Sequence, residues 1–195
     1  MVPIIGIILR DENERKMSIN KEILEYISSL ESIAIGIYPN NLDFILKLCN
    51  GFILQGGDDF TEFDLKLVDK IYKQNKPLLG ICLGMQTIGY FFNGELDKCQ
   101  NHKCDDEYVH HINIIKGTKL YNIIGETNIL VNSRHFDCLM HTNATISAIS
   151  DDGIIEAIEI PGHRFCLGLQ WHPESLKDIN SRKIFQSFVN ACREE

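Results

Sequence analysis

The stretch Pro77-Leu78-Leu79-Gly80-Ile81-Cys82-Leu83-Gly84-Met85-Gln86 decides the fold. A proline opens a short apolar run, 78–81, of the kind that forms a buried strand. Cys82 then stands between Gly80 and Gly84, and a helix-compatible segment follows. Gly-x-Cys-x-Gly has the spacing of a nucleophile elbow, where a strand turns sharply into a helix and lifts one side chain out of the turn. Glycines flank such a turn because the chain doubles back so tightly that a β-carbon would clash. A sulfur held there faces the first free N–H groups of the helix, whose dipole favours thiolate over thiol. Taken alone, the pentapeptide is also compatible with a buried cysteine at a glycine-rich strand end.

Upstream, residues 3–9 are continuously apolar, as in a strand buried on both faces. Ser18 or Asn20 can cap a helix over 21–30, in which Ile23, Leu24, Ile27 and Leu30 recur at helical spacing. A second strand over 33–38, a short helix over 42–49 and a third strand over 51–55 follow, the last running into Gly56-Gly57-Asp58-Asp59. A helix over 63–73 then leads to the 78–81 strand. Strands alternating with helices indicate parallel βαβ units and a doubly wound sheet.

Downstream, a helix from residue 83 to about 92 stops at Asn93-Gly94, and the pattern changes. Residues 101–107 are polar and loop-like. Short β-type runs over 108–115, 128–131, 144–150, 154–160 and 165–170 are separated by turn residues. Asp151-Asp152-Gly153 and Pro161-Gly162-His163 suit turns of antiparallel hairpins. An amphipathic helix over 179–192 closes the pattern.

Composition narrows the function classes. The 195 residues suffice for one compact domain with a full core. A formal net charge of −8 without a basic run argues against binding a nucleic-acid backbone. The only apolar run near the start, 3–9, has no basic residue before it, and no stretch is long enough to span a bilayer, so a cytoplasmic protein is expected. Seven cysteines, an odd number, suit reduced thiols better than a disulfide framework. Cys99, His102 and Cys104, with His110 and His111 nearby, raise the question of a metal. Their spacing matches no standard zinc pattern, so a polar loop without metal is expected.

A thiol nucleophile needs an imidazole to take its proton and return it to the leaving group, and the imidazole needs a carboxylate to fix its tautomer. Gly168-Leu169-Gln170-Trp171-His172-Pro173-Glu174 supplies both, with His172 and Glu174 two apart and on one side of an extended chain. Alone, His-Pro-Glu suits a surface turn. Paired with the elbow, it makes Cys82, His172 and Glu174 a candidate catalytic set. Gln55-Gly56-Gly57-Asp58 closes a parallel strand, where ligands collect in open α/β sheets. The N–H groups of Gly57 and Leu83 can form an oxyanion hole there, although a simple Gly-Gly turn fits the same residues.

These three motifs, in this order and spanning nearly the whole chain, resemble the class I glutamine amidotransferase-like superfamily. The resemblance implies a flavodoxin-like three-layer α/β/α sandwich over residues 1–195, with a mostly parallel central sheet and a small antiparallel β section in the second half. It also implies a Cys-His-Glu triad. Val131-Asn132-Ser133-Arg134-His135 and Trp171 look like the γ-glutamyl-γ-aminobutyrate hydrolase branch, the C26 peptidase-like proteins. By that similarity Gly56, Gln86, Asn132, Ser133, Arg134 and His135 would hold a glutamyl head group. Leu83 departs from the branch, where arginine is usual, and matches ammonia-producing glutaminase subunits. The short 58–64 segment and Asn93-Gly94-Glu95-Leu96 also depart from it.

The expectation is a cytoplasmic cysteine hydrolase that cleaves the γ-glutamyl amide of a small conjugate or a γ-glutamyl nucleotide phosphoramidate. It needs no cofactor and no metal, and binds neither nucleic acid nor membrane; a homodimer is left open. The alternatives are a glutaminase subunit with a synthase partner, and a binding module that has lost its chemistry.

Overall fold

The computed structural model describes residues 1–194. β1 (Ile4–Ile8) runs into a hairpin of β2 (Arg10–Asn13) and β3 (Lys16–Ser18). α1 (Lys21–Ser29) starts behind Asn20, whose side chain accepts from the Glu22 N–H. β4 (Ile33–Ile37), α2 (Leu42–Leu48), β5 (Gly51–Leu54) and α3 (Glu62–Lys73) follow, and a reciprocal capping box between Thr61 and Asp64 opens α3. β6 (Leu78–Ile81) leads through Cys82 into α4 (Leu83–Phe91). The second half contains β7 (Glu95–Lys98), β8 (His110–Ile114), α5 (Lys119–Ile124), β9 (Asn128–Val131), β10 (Asp137–His141), β11 (Thr145–Ser150), β12 (Ile155–Glu159) and β13 (Cys166–Leu169). A 3-10 turn, Pro173–Ser175, and α6 (Ile179–Arg193) complete the order.

Nine strands form one sheet in the order β4-β1-β5-β6-β13-β12-β11-β8-β9. The pairings from β4 to β13 are parallel, and those from β13 to β9 are antiparallel. Only β12 and β8 therefore run against the common direction, so the sheet is mostly parallel in strand direction, as expected. The antiparallel strands continue the same sheet. Gly153 (φ 91°) and Gly162 (φ 79°) make the turns into and out of β12, in the left-handed conformation that glycine adopts without steric cost.

Period-two alternation sorts the strand residues onto two faces. Ile5, Ile7, Ile53, Leu79 and Ile81 pack with Ile23 and Ile27 of α1 and with Ile184, Phe185 and Phe188 of α6. Ile8, Phe52, Leu54 and Leu78 pack on the other face with Leu67, Val68 and Ile71 of α3 and with Met85 and Ile88 of α4. The result is the three-layer α/β/α sandwich. Among the described residues no helix is long and apolar enough to cross a membrane.

Five elements escaped the sequence reading. β2, β3 and β7 are polar and largely exposed, and they pair outside the main sheet. β10 pairs with β7 rather than joining the nine-stranded sheet. α5 is short and is held by a tertiary contact: the buried Glu159 carboxylate accepts from the N–H groups of Lys119 and Leu120. Such a cap depends on β12 lying beside it, which local propensity does not reveal.

Candidate active site

β6 and β13 are adjacent and parallel, with Leu169 opposite Ile81, so Cys82 and Gln170 leave the sheet at the same edge. The Cys82 N–H donates to the Leu169 carbonyl at 2.7 Å. Cys82 adopts φ 52° and ψ −108°, a conformation that costs a non-glycine residue about 1–3 kcal/mol and persists where the surroundings impose it. A β-carbon on Gly84 would lie 1.9 Å from the Leu54 carbonyl oxygen, and one on Gly80 would lie 2.7 Å from the Gly84 carbonyl. Both glycines of the elbow are thus required by space.

His172 precedes the Pro173–Ser175 turn, and its Nδ1 lies 2.8 Å from Glu174 Oε1. The side chain of Asn20 donates to the same oxygen at 3.3 Å. With Nδ1 occupied by the carboxylate, the other edge of the ring lies beside Cys82: His172 Nε2 and the Cys82 β-carbon both stand within 3.8 Å of where a β-carbon on Gly56 would be. Burial disfavours the charged ring, but the Glu174 carboxylate and the neighbouring Cys82 outweigh it and push His172 up to about 10. The arrangement therefore favours an imidazolium beside the sulfur at neutral pH.

Two expected head-group contacts are corrected. Asn132 is fully buried, with Nδ2 donating to the His172 carbonyl at 2.8 Å and Oδ1 accepting from the His172 N–H at 2.7 Å. Ser133 Oγ, also fully buried, donates to the His102 carbonyl at 2.6 Å. Their polar atoms are committed to protein partners, so they position the site instead of facing a ligand. Gly56 lies under the catalytic-set ring: a β-carbon there would meet His172 Cε1 at 3.0 Å.

The remaining expected residues gather around a cavity of about 340 Å³ lined by Gly57, Cys82, Gln86, Arg134 and His135. Lys98, Lys103, Asp58, Asp59, Phe136 and Asp137 complete its wall, which therefore carries both signs of charge. Leu83 packs against Gly57, within 3.2 Å of where a β-carbon on that glycine would stand. As the first residue of α4, Leu83 has no intrahelical acceptor for its N–H. Gln86 donates to the Asp137 carbonyl at 2.8 Å and to Gln170 Oε1 at 3.3 Å. Burial and the neighbouring His102 push His135 down to about 4, which leaves it neutral and unlike His172.

Gln170 is a site residue that sequence reasoning passed over. Fully buried, it points Nε2 at Cys82 Sγ, 3.7 Å away, and links the nucleophile to Gln86. Its signal was its place one residue past a strand that ends beside the elbow. Gln55 likewise braces the site from behind, donating to the Ile8 and Ser18 carbonyls and accepting from the Asn20 N–H. A second cluster of donors lies nearby: His102, His110 and Glu156 bring one ligand atom each within 4.8 Å of one another.

Comparison with known proteins agrees with this fold. Residues 61–174, more than half of the chain, match the family model Peptidase C26. The chain belongs to the Peptidase C26 family, a hydrolase family of the glutamine amidotransferase type. It is 24% identical to the γ-glutamyl-γ-aminobutyrate hydrolase PuuD of Escherichia coli K12, over 98% of this chain and 94% of that protein. It is 29% identical to the glutamine-hydrolysing GMP synthase of Dictyostelium discoideum, over 81% of this chain but 24% of that protein. In fold it is similar to the glutaminase domain of Trypanosoma brucei CTPS, with a TM-score of 0.74 at 16% identity, covering 98% and 94% of the two chains.

Proposed function

We propose that this protein is a cysteine hydrolase that cleaves the γ-glutamyl amide of a small conjugate, releasing glutamate and an amine through a thioester. The observation that carries the reading is Glu174 Oε1 2.8 Å from His172 Nδ1, with the His172 ring beside Cys82 at the elbow. The Cys82 thiolate attacks the γ-carbonyl carbon, forming a C–S bond and an oxyanion that the Gly57 and Leu83 N–H groups receive. Collapse breaks the C–N bond, and the His172 imidazolium gives its proton to the departing nitrogen. His172, now neutral, takes a proton from water as the water attacks the thioester. Breaking the C–S bond then frees glutamate and restores the thiolate. Glu174 orients the ring throughout.

The cavity wall supports a zwitterionic head group. Arg134 and Lys103 suit a carboxylate, and Asp58 and Asp59 suit an ammonium. Lys98 already pairs with Asp137 at 2.7 Å, and Lys103 sits 4.0 Å above the Phe136 ring. The same cations suit the phosphate of a γ-glutamyl nucleotide phosphoramidate, the bulkier substrate class admitted by the short 58–64 segment. The test is glutamate release by the purified protein alone from glutamine, γ-glutamyl-γ-aminobutyrate and a γ-glutamyl nucleotide phosphoramidate. Turnover of a conjugate with glutamine nearly untouched is expected. Silence on both conjugates would overturn the reading.

A second reading, a glutaminase subunit serving a synthase, draws on Leu83 after the nucleophile and on the likeness to the Dictyostelium GMP synthase. It requires glutamine hydrolysis that rises when the partner is added.

A further inference from the structure

Behind the His135 wall of the cavity, three imidazoles converge on one carboxylate. Glu156, fully buried on β12, places Oε1 3.1 Å from His110 Nε2, 3.7 Å from His102 Nδ1 and 3.9 Å from His135 Nε2. In a tetrahedral zinc site with bonds of about 2.0–2.1 Å, neighbouring ligand atoms stand about 3.3 Å apart. The His110 and His102 separations bracket that edge length, and the ligand atoms of His102, His110 and Glu156 all lie within 4.8 Å of one another.

Two further observations point to a ligand. Glu156 Oε2 and His135 Nε2 are buried without a hydrogen-bond partner, although their side chains are nearly or fully sealed from solvent. Unmet polar atoms at such depth are costly and call for an explanation. The outer contacts also have the pattern that prepares histidines for a metal. His102 Nε2 is 2.9 Å from Asp152 Oδ2, and His135 Nδ1 is 3.0 Å from the Asp137 carbonyl. Each of these rings thus uses its far nitrogen on an oxygen and has the near one on the Glu156 side, where His102 Nδ1 also lies 3.3 Å from Ser133 Oγ.

We infer that His102, His110 and Glu156 form a structural site for one divalent cation of the zinc class, with His135 beside it. The ion would tie the loop carrying His102, β8 and β12 into one body, which the 132–135 segment joins through Ser133 on the His102 carbonyl. Because Asn132 in that segment grips the backbone of His172, the site would steady the proposed base from outside the reacting centre. The donors are far apart in the chain, which is why no zinc spacing is visible in the sequence. This inference stands on the cluster alone and does not depend on which amide is cleaved.

The experiment measures metal in protein purified without a metal-affinity tag, then titrates the chelator-treated protein with Zn²⁺ and Co²⁺. About one equivalent per chain is expected, with the visible absorption of tetrahedral Co²⁺ and a raised thermal midpoint on adding Zn²⁺. Glu156→Gln should weaken binding at least about tenfold. His110→Ala, at a partly exposed position, should do the same with an unchanged circular dichroism spectrum. Absence of stoichiometric binding by the native protein would overturn the inference. So would equal binding by both variants, which would place the ion elsewhere, for instance on Cys99 or Cys104.

Discussion

Asn132 clasps His172 by both ends of its amide, donating to the carbonyl at 2.8 Å and accepting from the N–H at 2.7 Å. The contact fixes the backbone from which the imidazole projects, across 40 residues of sequence. Asn132→Ala should therefore lower kcat with little change in KM, because it removes placement of the base and leaves the cavity wall alone. Two buried groups lose partners, so a stability loss of about 1–3 kcal/mol per group is expected. Steady-state kinetics beside urea unfolding checks both parts. A raised KM with unchanged kcat would show that Asn132 touches substrate after all.

Cys82→Ala should abolish turnover while the protein stays folded. It also relieves the strained φ of 52° only slightly, since alanine still carries a β-carbon. The check is glutamate release together with circular dichroism. Retained activity in the folded variant would remove the proposed mechanism.

Gly84→Ala should fail differently. Its β-carbon would stand 1.9 Å from the Leu54 carbonyl oxygen, backbone that cannot swing away. A loss above about 3 kcal/mol is expected, visible as insoluble expression or a sharply lowered thermal midpoint. A Gly117→Ala control meets no atom within 4 Å and isolates the effect of crowding from that of a positive φ.

The raised pKa of His172 links stability to pH. A histidine that binds its proton more tightly when folded contributes stability that is complete below about pH 6.5, its ordinary value. That contribution shrinks as the unfolded chain deprotonates above about 6.5 and is gone near pH 10. Unfolding midpoints should fall across this window. Glu174→Gln removes the carboxylate that favours the imidazolium, so it should flatten the slope and lower kcat by about 10²–10⁴-fold. An unchanged slope in that variant would show that Glu174 is not the partner that holds the proton.

The elbow and the His-Pro-Glu segment were legible because each is a local signature: glycines two either side of a cysteine, and a histidine and glutamate on one side of an extended chain. β6 and β9 fall at the expected bounds because turn residues and a proline frame their apolar runs. Asn132 was misread because its partner is the backbone of His172, a contact that exists only after β9 and the segment past β13 come together. Glu156 was invisible for a related reason. In an alternating run it looks like a solvent-facing strand residue, but β12 lies between β13 and β11 and both its faces are covered. Gln170 and Gln55 sat inside recognised motifs, yet their tasks are defined by neighbouring strands that the chain does not name.

The pairing of β6 with β13 has a consequence for the life of the protein before it is finished. Those strands are neighbours in the sheet, but Cys82 and Gln170 are 88 residues apart. A chain emerging from the ribosome therefore presents its cysteine long before the imidazole that would arm it has been made. On the proposed mechanism, synthesis itself acts as a safety catch: the thiol is unarmed until β13 has been inserted between β6 and β12 and His172 has followed it out.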